Sequence, residues 1–181
     1  AGRAKQPVMR FALLIVLATA CGNADVAVPD SDGKQMPDFS LPDVNPSSTS
    51  AGQTVSAHAQ RGAVTAWYFS KATCGYCRGQ FGFLDAMQNE LVQTPTPVRI
   101  FGVNAVDASA GNEAIVADRT LPWLQDDAVV NAWGAWEVRW RDVVVLDPDG
   151  KRLHVYNLTE HDLADEAHYD ALKDALLAAA Q

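Results

Sequence analysis

Hydrophobic side chains change rhythm along the chain. Val64-Thr-Ala-Trp-Tyr-Phe69 is an unbroken β-branched and aromatic run, which predicts a central strand buried on both faces. From about Cys77 the spacing becomes helical. Cys77, Phe81, Leu84, Met87 and Leu91 fall on one face, and Pro95 and Pro97 end the segment. Val98–Asn104 predicts a second strand, residues 109–118 a helix, Leu121–Leu124 a short strand and Asp127–Trp133 a short helix. Asp142–Asp147 and Leu153–Leu158 read as strands joined by a tight Pro148-Asp149-Gly150 turn. Tyr169, Leu172, Leu176 and Ala179 stripe a final helix. Ahead of these, Phe39–Leu41 and Thr54–Ala57 read as short strands, and 45–53 as a loop. Strands alternating with helices predict an α/β layered domain.

The first twenty residues follow another pattern. Arg3, Lys5 and Arg10 precede the apolar run Phe11 to Ala20. A bilayer span needs about 20 apolar residues, so this run is too short to remain as one. A basic start, a short apolar stretch and small residues before a cut site predict an export signal over 1–20. Ala18-Thr19-Ala20-Cys21 resembles the lipobox of bacterial lipoproteins, with Ala18 where Leu is commonest. The resemblance implies lipid on Cys21 and an anchor in the bacterial cell envelope, facing the periplasm. A protein secreted without lipid is the alternative. Residues 21–35, rich in Gly, Ala, Asp, Pro and Ser, read as a flexible tether, leaving 36–181 as the folded domain.

The 181 residues suit one domain, and the net charge of -8 opposes binding to nucleic acid. Loss of the signal removes three basic residues and no acid, taking the net charge from -8 to -11. Three cysteines are too few for a disulfide framework and leave one over after any pairing.

Cys74 and Cys77 stand where a buried strand gives way to a helix. At i and i+3 they share the first turn, close enough to bridge. Unsatisfied N–H groups and the partial positive charge of a helix N-terminus favour a thiolate on Cys74, the expected nucleophile. Lys71 would add to this if it points inward, and Thr73 is placed to cap the helix. Cys77 would be the resolving thiol. A zinc half-site is one alternative, but zinc wants four ligands. The chain has no second CxxC; His154, His161 and His168 stand seven apart, and His58 is alone. An inert structural disulfide is the other.

With these residues in view, the chain resembles thioredoxin-fold proteins over about 36–180. Residues 64–91 match the family's strand, CxxC and helix, and 142–158 its last hairpin. The expected fold is therefore thioredoxin-like, a central mixed β-sheet flanked by helices. Val64 to Cys77, Val103-Asn104, Leu121-Pro-Trp-Leu-Gln125, Arg141 to Asp147 and His154 to Leu158 resemble most the N-terminal domain of selenoprotein P and its bacterial homologues, with Cys74 in place of selenocysteine. Thioredoxins carry a cis-proline before the penultimate strand. Val138-Arg-Trp-Arg-Asp142 has none, which weakens the case for docking an extended peptide. It also keeps the zinc alternative open, because that proline is thought to discourage metal binding. Tyr68 stands where thioredoxins bury an Asp, and its ordinary pKa near 10 makes it a poor base.

Among the remaining residues, Trp133, Trp136 and Trp140 read as packing. Trp140 is also the candidate for an apolar rim beside Cys74, flanked by Arg139 and Arg141, which would favour acidic partners. Tyr76 is expected to set local packing and redox poise, and the three C-terminal histidines to lie on the surface. The expectation is an exported thiol–disulfide oxidoreductase that needs no organic cofactor and no metal. It would act as a monomer on protein or small-molecule thiols and disulfides, and meet the membrane only through Cys21. The alternatives are a thiol peroxidase-like antioxidant using the same cysteines, and a redox-inert binding module with a structural disulfide or bound metal.

Overall fold

A computed structural model describes residues 2, 32–91 and 94–181. The export signal, Cys21 and most of the expected tether lie outside the described residues. Strand β3 (Val64–Ser70) is buried at all seven positions, as its unbroken apolar run requires. It lies at the centre of a five-stranded sheet, parallel to β4 (Val98–Asn104) and antiparallel to β6 (Asp142–Leu146). Strands β5 (Trp123–Gln125) and β7 (Arg152–Asn157) form the two edges. A small hairpin, β1 (Ser40–Pro42) with β2 (Thr54–Ser56), precedes the sheet.

Each face of β3 supports its own core. Val64, Ala66 and Tyr68 pack with Phe81, Leu84 and Met87 of α1 (Gly75–Glu90) and with Leu172 and Leu176 of α4 (Glu166–Ala179). Trp67 and Phe69 pack on the other face with Phe39, Phe101 and Trp136. Trp67 stacks on Phe101 with centroids 4.3 Å apart and meets Phe39 edge-on at 5.2 Å. The polar ends of both buried indoles are bonded, Trp67 Nε1 to Thr65 Oγ1 and Trp136 Nε1 to Pro37 O. Trp136 is therefore core, as expected of it, and Trp133 packs against the same cluster.

Three segments depart from the expected pattern for local reasons, and the loop expected over 45–53 is a loop held by buried polar groups. The helix expected over 109–118 is a 3-10 turn, Ser109–Gly111, followed by the short α2 (Asn112–Val116). The helix expected over Asp127–Trp133 is α3 (Ala132–Trp136) instead. Asp127 Oδ1 accepts from the amides of Val129 and Val130, and Asp126 Oδ1 from that of Ala132, so aspartate-held turns occupy the first part. The 45–53 stretch is pinned down: buried Asp43 accepts from Ser48, Ser50, Asn45 N and Trp123 N. Buried Asn45 donates to Arg119 O and Leu121 O. The last tether residues, 32–35, lie along the β6–β7 hairpin, where Lys34 O accepts from Arg152 N and Gln35 bridges Lys151.

Candidate active site around Cys74 and Cys77

The cysteines follow directly from β3, and the loop carrying them is held from below. Asn104, the last residue of β4, is fully buried, and its Oδ1 accepts from Ala72 N at 2.9 Å. Its Nδ2 donates to Asn112 Oδ1 and Gln125 Oε1, joining β4, α2 and β5. A Cβ on Gly111 would lie 2.4 Å from the Ala72 carbonyl carbon, so only glycine lets this turn approach the loop. Asn104 and Gln125 stand in the sequence motifs above with no role attached. A polar residue closing an apolar strand was the available signal.

Cys74 is itself the N-cap of α1. Its backbone is extended (φ -88, ψ 120) and its Sγ accepts from Cys77 N at 3.1 Å. Thr73, the expected cap, is exposed and one residue too early to reach the helix amides. Cys74 and Cys77 form a disulfide with Cα atoms 5.2 Å apart. Cys77 is 0% exposed, whereas Cys74 is half-buried. Lys71 does not point at the sulfurs. Its Nζ binds Asp107 Oδ2 at 2.9 Å and holds that carboxyl below its usual range.

Tyr76 and Arg141 close the site from the side of the loop after β7. The Tyr76 hydroxyl donates to Leu158 O at 2.5 Å, and burial followed by nearby Asp162 pushes the phenol upward in pKa. Gln80 continues the seam, donating to Asp162 Oδ1 and accepting from Leu163 N. Arg141 occupies the segment immediately before β6, where no cis peptide is present and the Arg141 backbone is left-handed (φ +73). Two backbone bonds hold that conformation, Arg141 N to Phe69 O and Leu158 N to Arg141 O. The guanidinium lies over the Trp140 ring at 4.1 Å and over the Tyr76 ring at 4.9 Å. One terminal nitrogen donates to Thr159 Oγ1 at 3.1 Å, and the other is 3.9 Å from Cys74 Sγ. The structure thus brings Cys74, Cys77, Tyr76, Trp140 and Arg141 together and leaves Lys71 and Thr73 outside. Trp140 is 43% exposed and Tyr76 38%. Arg139 turns away to Asp142 and Glu160.

Beneath the site, Tyr68 is fully buried with an unpartnered hydroxyl, beside Ser70 Oγ, which is also unpartnered. Burial raises the Tyr68 pKa further, so it supplies no base. The three C-terminal histidines are half-buried rather than on the surface. His161 stacks on Tyr156 at 4.4 Å and meets His168 edge-on at 5.1 Å. Among the described residues no group of three or more His, Cys, Asp or Glu is placed to hold a metal ion, and no helix is long and apolar enough to cross a membrane.

Solved structures share this architecture. A protein from Bacteroides thetaiotaomicron assigned as a protein disulfide isomerase is 18% identical, with a TM-score of 0.65 over 82% of this chain and 89% of that one. A Chlorobium tepidum protein assigned as a thiol:disulfide interchange protein DsbE is 23% identical, with a TM-score of 0.63 over 86% and 100%. The exposed lipoprotein thioredoxin of Streptococcus pneumoniae is 19% identical, with a TM-score of 0.58 over 77% and 98%. At these identities the likeness establishes the thioredoxin-like fold. No curated protein matches the chain. The comparisons do not reach the selenoprotein P grouping. They define a broader one: the AhpC/TSA family model matches residues 33–154, most of the folded domain, and the chain belongs to that family.

Proposed function

We propose that the chain is a thiol–disulfide oxidoreductase of the cell envelope. The observation that carries this reading is the asymmetry of the pair: a half-buried Cys74 capping a helix within reach of a guanidinium, and a Cys77 wholly enclosed one turn on. Amide and guanidinium donors around Cys74 Sγ favour the thiolate over the thiol. In the reducing direction, the Cys74 thiolate attacks a substrate disulfide, forms a mixed disulfide and expels one substrate thiolate. Cys77 then gives up its proton and attacks Cys74 Sγ. The protein disulfide forms and the second substrate thiol leaves, so two electrons pass from dithiol to substrate. The reverse sequence oxidises a substrate dithiol, and the reduction potential sets the direction. Tyr76, Trp140 and Arg141 support the site. Lys71 is ion-paired with Asp107 and Thr73 precedes the cap position, so neither is assigned a part in it.

The envelope address rests on the export-type segment over 1–20 and on Cys21, with the lipoprotein neighbour from Streptococcus pneumoniae in support. The affinity to selenoprotein P-like domains rests on the sequence motifs alone. A monomer acting on protein or small-molecule thiols completes the reading. Its test is turnover: the reduced protein should consume a disulfide stoichiometrically and return as the Cys74–Cys77 disulfide. Failure to do so would leave the redox-inert reading.

Arg141 favours a second reading, peroxide reduction at the same sulfur. There Cys74 would attack the peroxide, releasing alcohol or water and becoming a sulfenic acid. Cys77 would condense with it, releasing water. Peroxide consumption that requires Cys74 and outpaces disulfide exchange would establish it.

A further inference from the structure

Two features of the site point to the kind of disulfide it accepts, given the redox reading above. The first is the state of its main chain. An extended peptide is held at a strand-like edge by free backbone N–H and C=O groups. Here Arg139 N donates to Asp142 Oδ2, Trp140 O accepts from Asn157 Nδ2, and Arg141 N and O are both bonded. On the adjoining loop, Leu158 O is taken by Tyr76 and Thr159 N by Asn157 Oδ1. Most of the strand-like recognition edge is therefore already occupied by the protein's own groups.

The second feature is charge. Among the described residues, no carboxylate lies within ion-pair distance of Arg141 or of Arg78. Arg78 folds back along the start of α1, donating to Ala72 O at 3.2 Å, with its other terminal nitrogen against Gly75. Two uncompensated guanidinium groups therefore flank the turn that carries Cys74, in a chain of net charge -8. Arg side chains are good carboxylate receptors because their planar fork matches the anion. The exposed face of Trp140 adds an apolar wall beside them.

We propose that the site takes low-molecular-weight disulfides bearing carboxylates close to the S–S bond, with Arg141 and Arg78 receiving the anionic groups. Side chains, and not the main chain, would do the recognising. The whole-molecule charge argues for the opposite preference, for cationic disulfides, so the two effects separate cleanly.

The test uses the pre-reduced full protein in single-turnover reactions with dianionic bis(carboxynitrophenyl) disulfide, neutral dithiodipyridine, dicationic cystamine and insulin. Each rate is normalised to that of dithiothreitol with the same disulfide. The expected order is anionic, then neutral, then cationic, with the anionic-to-neutral ratio about five- to tenfold above one at low salt and falling as salt screens it. Arg78→Gln should lower that ratio several-fold. A ratio near one, a salt-independent ratio, or a normalised insulin rate above that of the anionic probe would overturn the proposal. Those outcomes leave the redox reading standing. Failure to react with any of the four would instead sink the redox reading itself.

Discussion

The guanidinium of Arg141 lies 3.9 Å from the Sγ of Cys74, clamped between the rings of Trp140 and Tyr76. The contact joins the start of β6 to the first turn of α1. It places a fixed positive charge beside a sulfur that already caps a helix.

Replacing Arg141 by Met keeps much of its bulk and removes the charge. Cys74 alkylation in the reduced protein should then require a higher pH, and its rate at neutral pH should fall several-fold. Iodoacetamide kinetics across pH measure this. An unmoved midpoint would remove Arg141 from thiolate stabilisation.

Tyr68 should be dispensable to the chemistry and unhelpful to stability. An unpartnered buried hydroxyl costs about 1–3 kcal/mol, so Tyr68→Phe is expected to be neutral or stabilising in urea melts, with its pH–rate profile unchanged. The same phenol carries a pH signature. Its folded pKa lies above the unfolded value of 10, as does that of Tyr156, pushed up to about 12 by burial. Their contribution is complete below pH 10 and is lost as pH rises toward the folded values. Tyr156→Phe should therefore flatten the alkaline decline in stability.

Asn104 supports the reactive loop without touching sulfur. Asn104→Ala would orphan the buried Ala72 N, while Asn112 Oδ1 keeps Trp123 Nε1 and Gln125 Oε1 keeps Asn112 Nδ2, at a cost of about 1–3 kcal/mol. Thermal melts should show that loss, and the surviving folded protein should react more slowly at Cys74.

Gly111→Ala tests the approach behind the loop. The added methyl would meet Ala72 and Thr73 backbone, which must move. Destabilisation of about 1–3 kcal/mol is expected, as for overpacking in a core. A neutral outcome in chemical denaturation would mean the turn at 109–111 does not brace the site.

Much of the molecule was legible from residue pattern. The run of β3 is uninterrupted because both its faces are covered, that of β4 breaks only at exposed Arg99 near its start, and the α1 stripe repeats as its buried face does. What pattern did not disclose was polar bookkeeping at short range. Asp126 and Asp127 turn the chain where a helix was expected, and a thiol takes the cap position that Thr73 was expected to fill. Arg141 and Trp140 are adjacent in sequence, but their stacking comes with a left-handed backbone at residue 141. Nothing in an arginine codon position announces that conformation. Arg78 escaped because its role depends on a carboxylate being absent nearby, a fact of three dimensions.

The most direct test of the dithiol mechanism is trapping on forms that keep one cysteine of the pair, with Cys21 replaced by Ser in each. Reduced Cys77→Ser protein, mixed with a test disulfide and examined by mass spectrometry, should accumulate one mixed disulfide located on Cys74. Under the same conditions Cys74→Ser should stay largely unmodified, because Cys77 is enclosed. A stable adduct on Cys77, or none on Cys74, would contradict the assignment of nucleophile and resolving thiol.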